Sequence, residues 1–218
     1  MISRSISGRL NSDEGRSKIT VKEYDREYFE RWYRGRFAAI GSAPTLKRKI
    51  ATCVAMAEFV LDRPLQSILD IGCGEGRWQP VLYELRPDAS YIGIDSSRYA
   101  VDRFGTERNL RMGKFEQLEY HVFEDRFDLV VCSDVMHYLT SAQIDAGLPV
   151  LADLVEGVAF LETFTRADEV EGDMVGFKKR QPGTYREMFR EVGLVPIGMQ
   201  FYVPDDVADI LDALEVPG

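Results

Sequence analysis

Apolar residues recur along the chain with two rhythms, and the change between them near residue 64 predicts its organisation. Before that point the period is helical. Tyr24, Tyr28 and Trp32, with Phe29, Tyr33 and Phe37 beside them, fall three and four apart, which predicts adjoining faces of one helix over 21–37. Gly41-Ser42-Ala43-Pro44 breaks that helix, and Thr45 is placed to cap a second, whose Leu46, Ile50, Cys53, Val54, Ala57 and Leu61 keep the 3.6 period until Pro64.

Beyond residue 64, short apolar runs alternate with helical patterns. The runs at 67–71, 91–94 and 127–132 read as strands, with weaker or later ones at 109–112, 158–164 and 194–203. The 127–132 run is apolar throughout, as suits a central strand covered on both faces. Trp78, Val81, Leu82 and Leu85 form a helical stripe stopped by Pro87; Ala100, Val101 and Phe104 begin another, and 141–154 a third. Thr184 followed by Glu187 resembles a capping box ahead of Tyr185, Met188, Phe189 and Val192, with Gly193 as terminator and a short helix at 207–214 closing the chain. This alternation predicts an α/β fold: a doubly wound, mostly parallel sheet with helices on both faces.

Composition narrows the picture. The chain has 218 residues, 45% apolar and 29% charged, with 27 Lys+Arg against 36 Asp+Glu for a net charge of −9. We expect a flexible tail at 1–20 and one domain over 21–218. No apolar run approaches the roughly 20 residues of a membrane span, so no membrane partner is expected. An acidic surface repels phosphates, and the basic stretches around Arg31 to Arg36 and Lys47 to Lys49 are short, so no nucleic acid is expected either. Three cysteines without a C-x-x-C pair, and two histidines without zinc spacing, predict free thiols and no metal. Residues 1–18 lack the apolar core of a signal peptide, and the cytoplasm is the expected location.

Residues 67–78 concentrate the chemistry: Ser-Ile-Leu-Asp-Ile-Gly-Cys-Gly-Glu-Gly-Arg-Trp. A strand runs into Gly72, Gly74 and Gly76 and then into a helix, so backbone can approach a ligand and the helix start offers unpaired N–H groups. About 20 residues on, the next strand ends in Asp95, where a carboxylate can accept both hydroxyls of a ribose. The order is G-x-G-x-G; the third glycine of the dinucleotide pattern G-x-G-x-x-G is replaced by Arg77.

These glycines, with Gly93-Ile94-Asp95-Ser96 and the stretch from Phe127 to Tyr138, resemble class I S-adenosylmethionine-dependent methyltransferases over roughly 65–165. The resemblance implies methyl transfer from S-adenosylmethionine to a small-molecule acceptor, at O or N, with S-adenosylhomocysteine as product. It implies that Gly72, Cys73 and Gly74 line the methionine part, that Asp70 helps hold its ammonium group through the loop, and that Ser133 lies against the same end. Asp95 would bind the ribose and Ser96 flank the adenine. Lys114 stands where family members commonly place Asp, leaving the N–H of Phe115, or Glu116, to hold the adenine. The family usually has two antiparallel strands after the last helix; with one convincing run at 194–203, a shortened sheet is expected. A nicotinamide-dependent oxidoreductase and a non-catalytic nucleoside-binding module of the same fold are the alternative readings.

His137, with an unperturbed pKa near 6.5, is the candidate general base. Its other reading is packing against the cofactor or capping the next helix. Cys73 has no neighbouring base and His121 reads as a surface residue. The aromatic segment reads either as core or as a helical lid over 21–43, with Tyr28, Tyr33, Arg34 and Arg36 as its candidate functional residues. The long connection 165–183 reads as a substrate loop presenting Met174, Phe177 and Lys178, and Tyr138 is a further candidate on the substrate side.

Overall fold

A computed structural model describes residues 22–34, 43–169, 172–209 and 211. The expected tail at 1–20, Arg36, Phe37, the break at Gly41-Ser42 and the end of the closing helix lie outside these residues.

Seven strands form one sheet: β1 (Ser67–Ile71), β2 (Ser90–Asp95), β3 (Leu110–Met112), β4 (Phe127–Val131), β5 (Val155–Phe160), β6 (Leu194–Gly198) and β7 (Phe201–Pro204). Their order is β3-β2-β1-β4-β5-β7-β6, parallel from β3 to β5, with β7 antiparallel to both β5 and β6. The expected doubly wound sheet is therefore present. Side chains alternate across it: Leu69 and Val130 face one layer with Ile144, Leu148, Leu151 and Phe189, while Ile68 and Leu129 face Ile50, Val54 and Leu82 on the other. Both layers are apolar, which is why β4 reads as an unbroken hydrophobic run.

The helices are α1 (Arg26–Phe29), α2 (Ala43–Leu61), α3 (Trp78–Leu85), α4 (Arg98–Arg108), α5 (Ser141–Asp153), α6 (Pro182–Glu191) and α7 (Asp205–Ala208). A π-helical turn, Glu30–Arg34, continues α1. Thr140 and Gln143 form a capping box on α5.

Five expectations are corrected. The single strand over 194–203 is a hairpin, β6–β7, so the sheet is not shortened. Its turn places Gly198, Met199 and Gln200 at φ +104°, +48° and +67°; Met and Gln seldom mark such conformations, so Gly198 is the lone turn signal in the sequence there. β5 begins at Val155, because Gly157 lies within the strand, where a Cβ would meet the Asp128 carbonyl at 2.8 Å. α2 starts ahead of Thr45, and α6 at Pro182 ahead of Thr184, since proline suits the first helical turn. The aromatic segment is not one long helix: Asp25 Oδ1 caps α1 by accepting from Tyr28 N at 2.9 Å, and the π-helical turn follows after one turn of α-helix.

Among the described residues no helix is long and apolar enough to cross a membrane, and no cluster of His, Cys, Asp and Glu could hold a metal. Cys53, Cys73 and Cys132 are free thiols.

Candidate active site

The order in which strands are added reverses between β1 and β4, and a cleft of about 700 Å3 opens at the carboxyl ends of these parallel strands. Its floor is the glycine loop. Gly72 has φ +75°, and a Cβ there would lie 2.2 Å from Val135 Cγ2, so only glycine fits. Gly72 N donates to the Ile94 carbonyl at 2.7 Å and Gly76 N to that of Cys73 at 2.9 Å, fixing the turn.

Asp95 joins three elements. Its Oδ2 accepts from Gly74 N and its Oδ1 from Ser97 N, each at 2.7 Å, while Ser97 Oγ caps α4 through Ala100 N at 3.1 Å and donates to the Tyr24 carbonyl. Each carboxylate oxygen keeps further acceptor capacity. Burial pushes the Asp95 carboxyl above its ordinary range, opposed by the N–H groups of Ser97, Gly74 and Ser96.

Gly72, Gly74, Asp95, Ser96, Phe115, Glu116, Ser133, Tyr28, Tyr33 and Tyr138 all line this cleft. Glu116 Oε1 accepts from Gln143 Nε2 at 2.9 Å, and Ser133 Oγ donates to Glu162, itself paired with Lys49 at 2.6 Å. The roof is aromatic. Phe29, 2% exposed, packs 5.2 Å from Tyr33 and 5.7 Å from Tyr99, and lies 3.2 Å from where a Gly74 Cβ would stand.

Other candidates are placed elsewhere. Asp70 lies under the loop, accepting from Tyr91 Oη at 2.7 Å, and burial raises its carboxyl to about 7. The Cys73 side chain packs beside Gly93, and burial pushes its thiol up. Arg34 points to the loop, not the cleft, and grips Glu75 through Nη2 at 2.6 and 2.7 Å; the Glu75 side chain is 5% exposed. His137 is fully buried in a short turn, Met136–Tyr138, against Tyr138, Phe164 and Phe177. Its Nδ1 accepts from Phe164 N at 3.4 Å, and its Nε2 stands 3.1 Å from Asp134 Oδ1 without hydrogen-bond alignment. Met174 and Phe177 border a separate hollow of about 630 Å3 with Arg166 and Lys179, and Lys178 is exposed. His121, read as a surface residue, is half-buried: it stacks 6.1 Å from Phe123 and crowds Gly113, and burial lowers its pKa.

The cleft also contains residues the sequence did not single out, among them Lys22, Tyr99, Asp134 and Gln143. Asp134 holds φ +64°, a strained conformation for a non-glycine residue, directly after the β4 motif. The 165–183 connection reaches the cleft through Asp173, which pairs with Lys22 at 2.5 Å.

A strand–glycine loop–helix at a topological switch point, with an acidic end to β2, is the arrangement with which open α/β sheets bind nucleosides. The chain belongs to the methyltransferase-domain family, whose model matches residues 25–214. Over 86 residues it is 35% identical to the methyltransferase ungE' of Aspergillus campestris, and over 83 residues 31% identical to a trans-aconitate 2-methyltransferase of Deinococcus radiodurans. These stretches are 35% and 37% of this chain, which spans about a quarter to a third of the length of those relatives. Among solved structures, magnesium protoporphyrin IX methyltransferase from Synechocystis with bound S-adenosylhomocysteine superposes with TM-score 0.59 at 17% identity, over 82% of this chain and 93% of that one. A TehB-like methyltransferase from Corynebacterium glutamicum gives TM-score 0.56 at 20% identity, over 81% and 94%. The fold is thus shared, and the family sets aside the oxidoreductase reading.

Proposed function

We propose that this protein transfers a methyl group from S-adenosylmethionine to the oxygen or nitrogen of a small molecule. The observation that carries the reading is Asp95, which binds the glycine loop and the α4 cap together at the cleft floor and keeps acceptor capacity for a ribose diol. The residues fit the cofactor: a side chain at Gly72 would collide with Val135, Phe115 and Ile94 offer apolar surface for a base, and Glu116 and Gln143 offer polar atoms beside it. When bound, the cofactor supplies a methyl activated by its sulfonium.

In this reading the chain chiefly aligns the acceptor and excludes water. Asp95 and Ser96 hold the ribose side, and Gly72, Gly74 and Ser133 the methionine side. Asp70 supports the loop from beneath. The aromatic roof keeps the reacting end dry, and Arg34, clamped on Glu75, holds that roof against the loop. His137 does not line the cleft; in this reading it packs against Tyr138 and does not accept a proton from the acceptor. The domain occupies 21–218, with 21–43 as lid and 165–183 as acceptor-side loop. Three free thiols favour the cytoplasm, and the net charge of −9 disfavours nucleic acid as acceptor.

The test is transfer of a labelled methyl group from S-adenosylmethionine to a broad set of small amines, alcohols and acids. Labelled product supports the reading. Binding of S-adenosylhomocysteine with no transfer to any acceptor would instead favour a nucleoside-binding module.

A further inference from the structure

A cluster around Lys22 lines the same cleft. The Lys22 ammonium lies 3.7 Å from the centroid of the Tyr138 ring, 4.9 Å from that of Tyr24 and 5.3 Å from that of Tyr28. All three distances fall within the roughly 6 Å over which an aromatic face attracts a cation. Asp173 Oδ2 stands 2.5 Å from the same nitrogen, and the Val175 carbonyl accepts from it at 3.4 Å.

The cage is built rather than incidental. Asp173 is fixed by Val175 N, which donates to its Oδ1 at 2.9 Å, and by Tyr138 Oη, which donates to its carbonyl at 2.7 Å. Tyr24 and Tyr28 meet edge to face at 5.0 Å. Burial pushes all three phenols up, Tyr24 to about 12, so the rings stay neutral. The Lys22 and Asp173 side chains are only 16% and 8% exposed. A surface lysine needs no such housing, since an exposed ion pair contributes about 0–1 kcal/mol.

Tyr24, Tyr28 and Tyr138 line the same cleft as Gly72 and Ser133. Lys22 itself precedes the Asp25 cap on non-helical chain, so its side chain can swing out without unwinding α1. Resting on the methyl-transfer reading, we propose that Tyr24, Tyr28, Tyr138 and Asp173 form the acceptor-recognition subsite, that it takes a cationic nitrogen, and that Lys22 fills it as an internal stand-in. The acceptor is therefore a small alkylammonium compound, held by its charge while its reacting atom faces the cofactor.

The experiment is calorimetric titration of the full chain, saturated with S-adenosylhomocysteine, with choline, n-butylammonium and the uncharged 3,3-dimethyl-1-butanol. Lys22→Met and Lys22→Gln should each bind the two cations at least tenfold more tightly than the parent, with no gain for the neutral alcohol. Adding Asp173→Asn or Tyr138→Leu to Lys22→Met should reverse that gain, and Tyr24→Phe should preserve it, because the ring face and not the hydroxyl does the binding. No gain in either Lys22 variant, or an equal gain for the alcohol, overturns the proposal. Normal S-adenosylhomocysteine affinity without cation binding removes the cage alone; loss of S-adenosylhomocysteine binding in the parent removes the methyl-transfer reading beneath it.

Discussion

Asp95→Asn changes one atom pair at the junction of the glycine loop, α4 and the lid. The carboxylate accepts from Gly74 N and Ser97 N at 2.7 Å each, one on either oxygen. An asparagine has a single acceptor oxygen, so one of these N–H groups must face an NH2. A hydrogen bond to a charged group contributes about 1.5–3 kcal/mol, and the loss is partly offset because Asp95 is a desolvated carboxylate held above its ordinary pKa. We expect a net loss of about 1 kcal/mol in the ligand-free protein, a fall in Tm of roughly 2–4 °C for a chain of this size. Binding should suffer more. The ribose diol loses one of two charge-assisted acceptors, which corresponds to roughly 10- to 150-fold weaker S-adenosylhomocysteine binding. Titration calorimetry and scanning calorimetry on the same sample separate the two effects. An affinity within threefold of the parent, with an unchanged Tm, would refute the placement of Asp95 at the centre of the site.

Three further outcomes follow from the same geometry. Gly72→Ala must hold alanine at φ +75° with its Cβ 2.2 Å from Val135 Cγ2, which should cost roughly 2–4 kcal/mol in thermal unfolding; adding Val135→Ala should restore only the steric part. Arg34→Ala should change stability by less than about 1 kcal/mol, because its side chain is 45% exposed, yet speed release of S-adenosylhomocysteine in stopped-flow measurements; an unchanged rate would detach the clamp from lid closure. Asp70 is raised from 3.8 to about 7, so the folded protein binds the extra proton and the stability from this group is full below pH 4 and lost as pH rises to 7. In urea denaturation Asp70→Asn should therefore gain on the parent across that window, by at most roughly 4 kcal/mol; a relative loss would mean the buried carboxylate is stabilised as an anion.

The sheet, the glycine loop and the position of Asp95 were legible because their signals are local. Strand, glycines and helix start are contiguous, and Asp95 follows at a fixed spacing on the neighbouring strand. The β6–β7 hairpin was hidden because Met199 and Gln200 adopt turn conformations that those residue types seldom mark, leaving Gly198 as the lone signal. His137 was legible as a histidine after β4, but not its direction: the short turn Met136–Tyr138 aims the ring at Phe164 and Phe177 instead of the cleft. The Lys22 cage was illegible in principle, since it joins the two sides of the molecule across 153 positions, from Lys22 to Val175, and periodicity carries no information at that range. The resemblance read from the sequence covers roughly 65–165 and so leaves out both Lys22 and Asp173.

In this reading the glycine loop and Asp95 bind S-adenosylmethionine. Its most direct test is calorimetric titration of the whole chain with S-adenosylhomocysteine and, separately, NADH. One S-adenosylhomocysteine per chain should bind in the micromolar range, with no heat from NADH. Saturable NADH binding, or no binding of S-adenosylhomocysteine by folded protein, would contradict it.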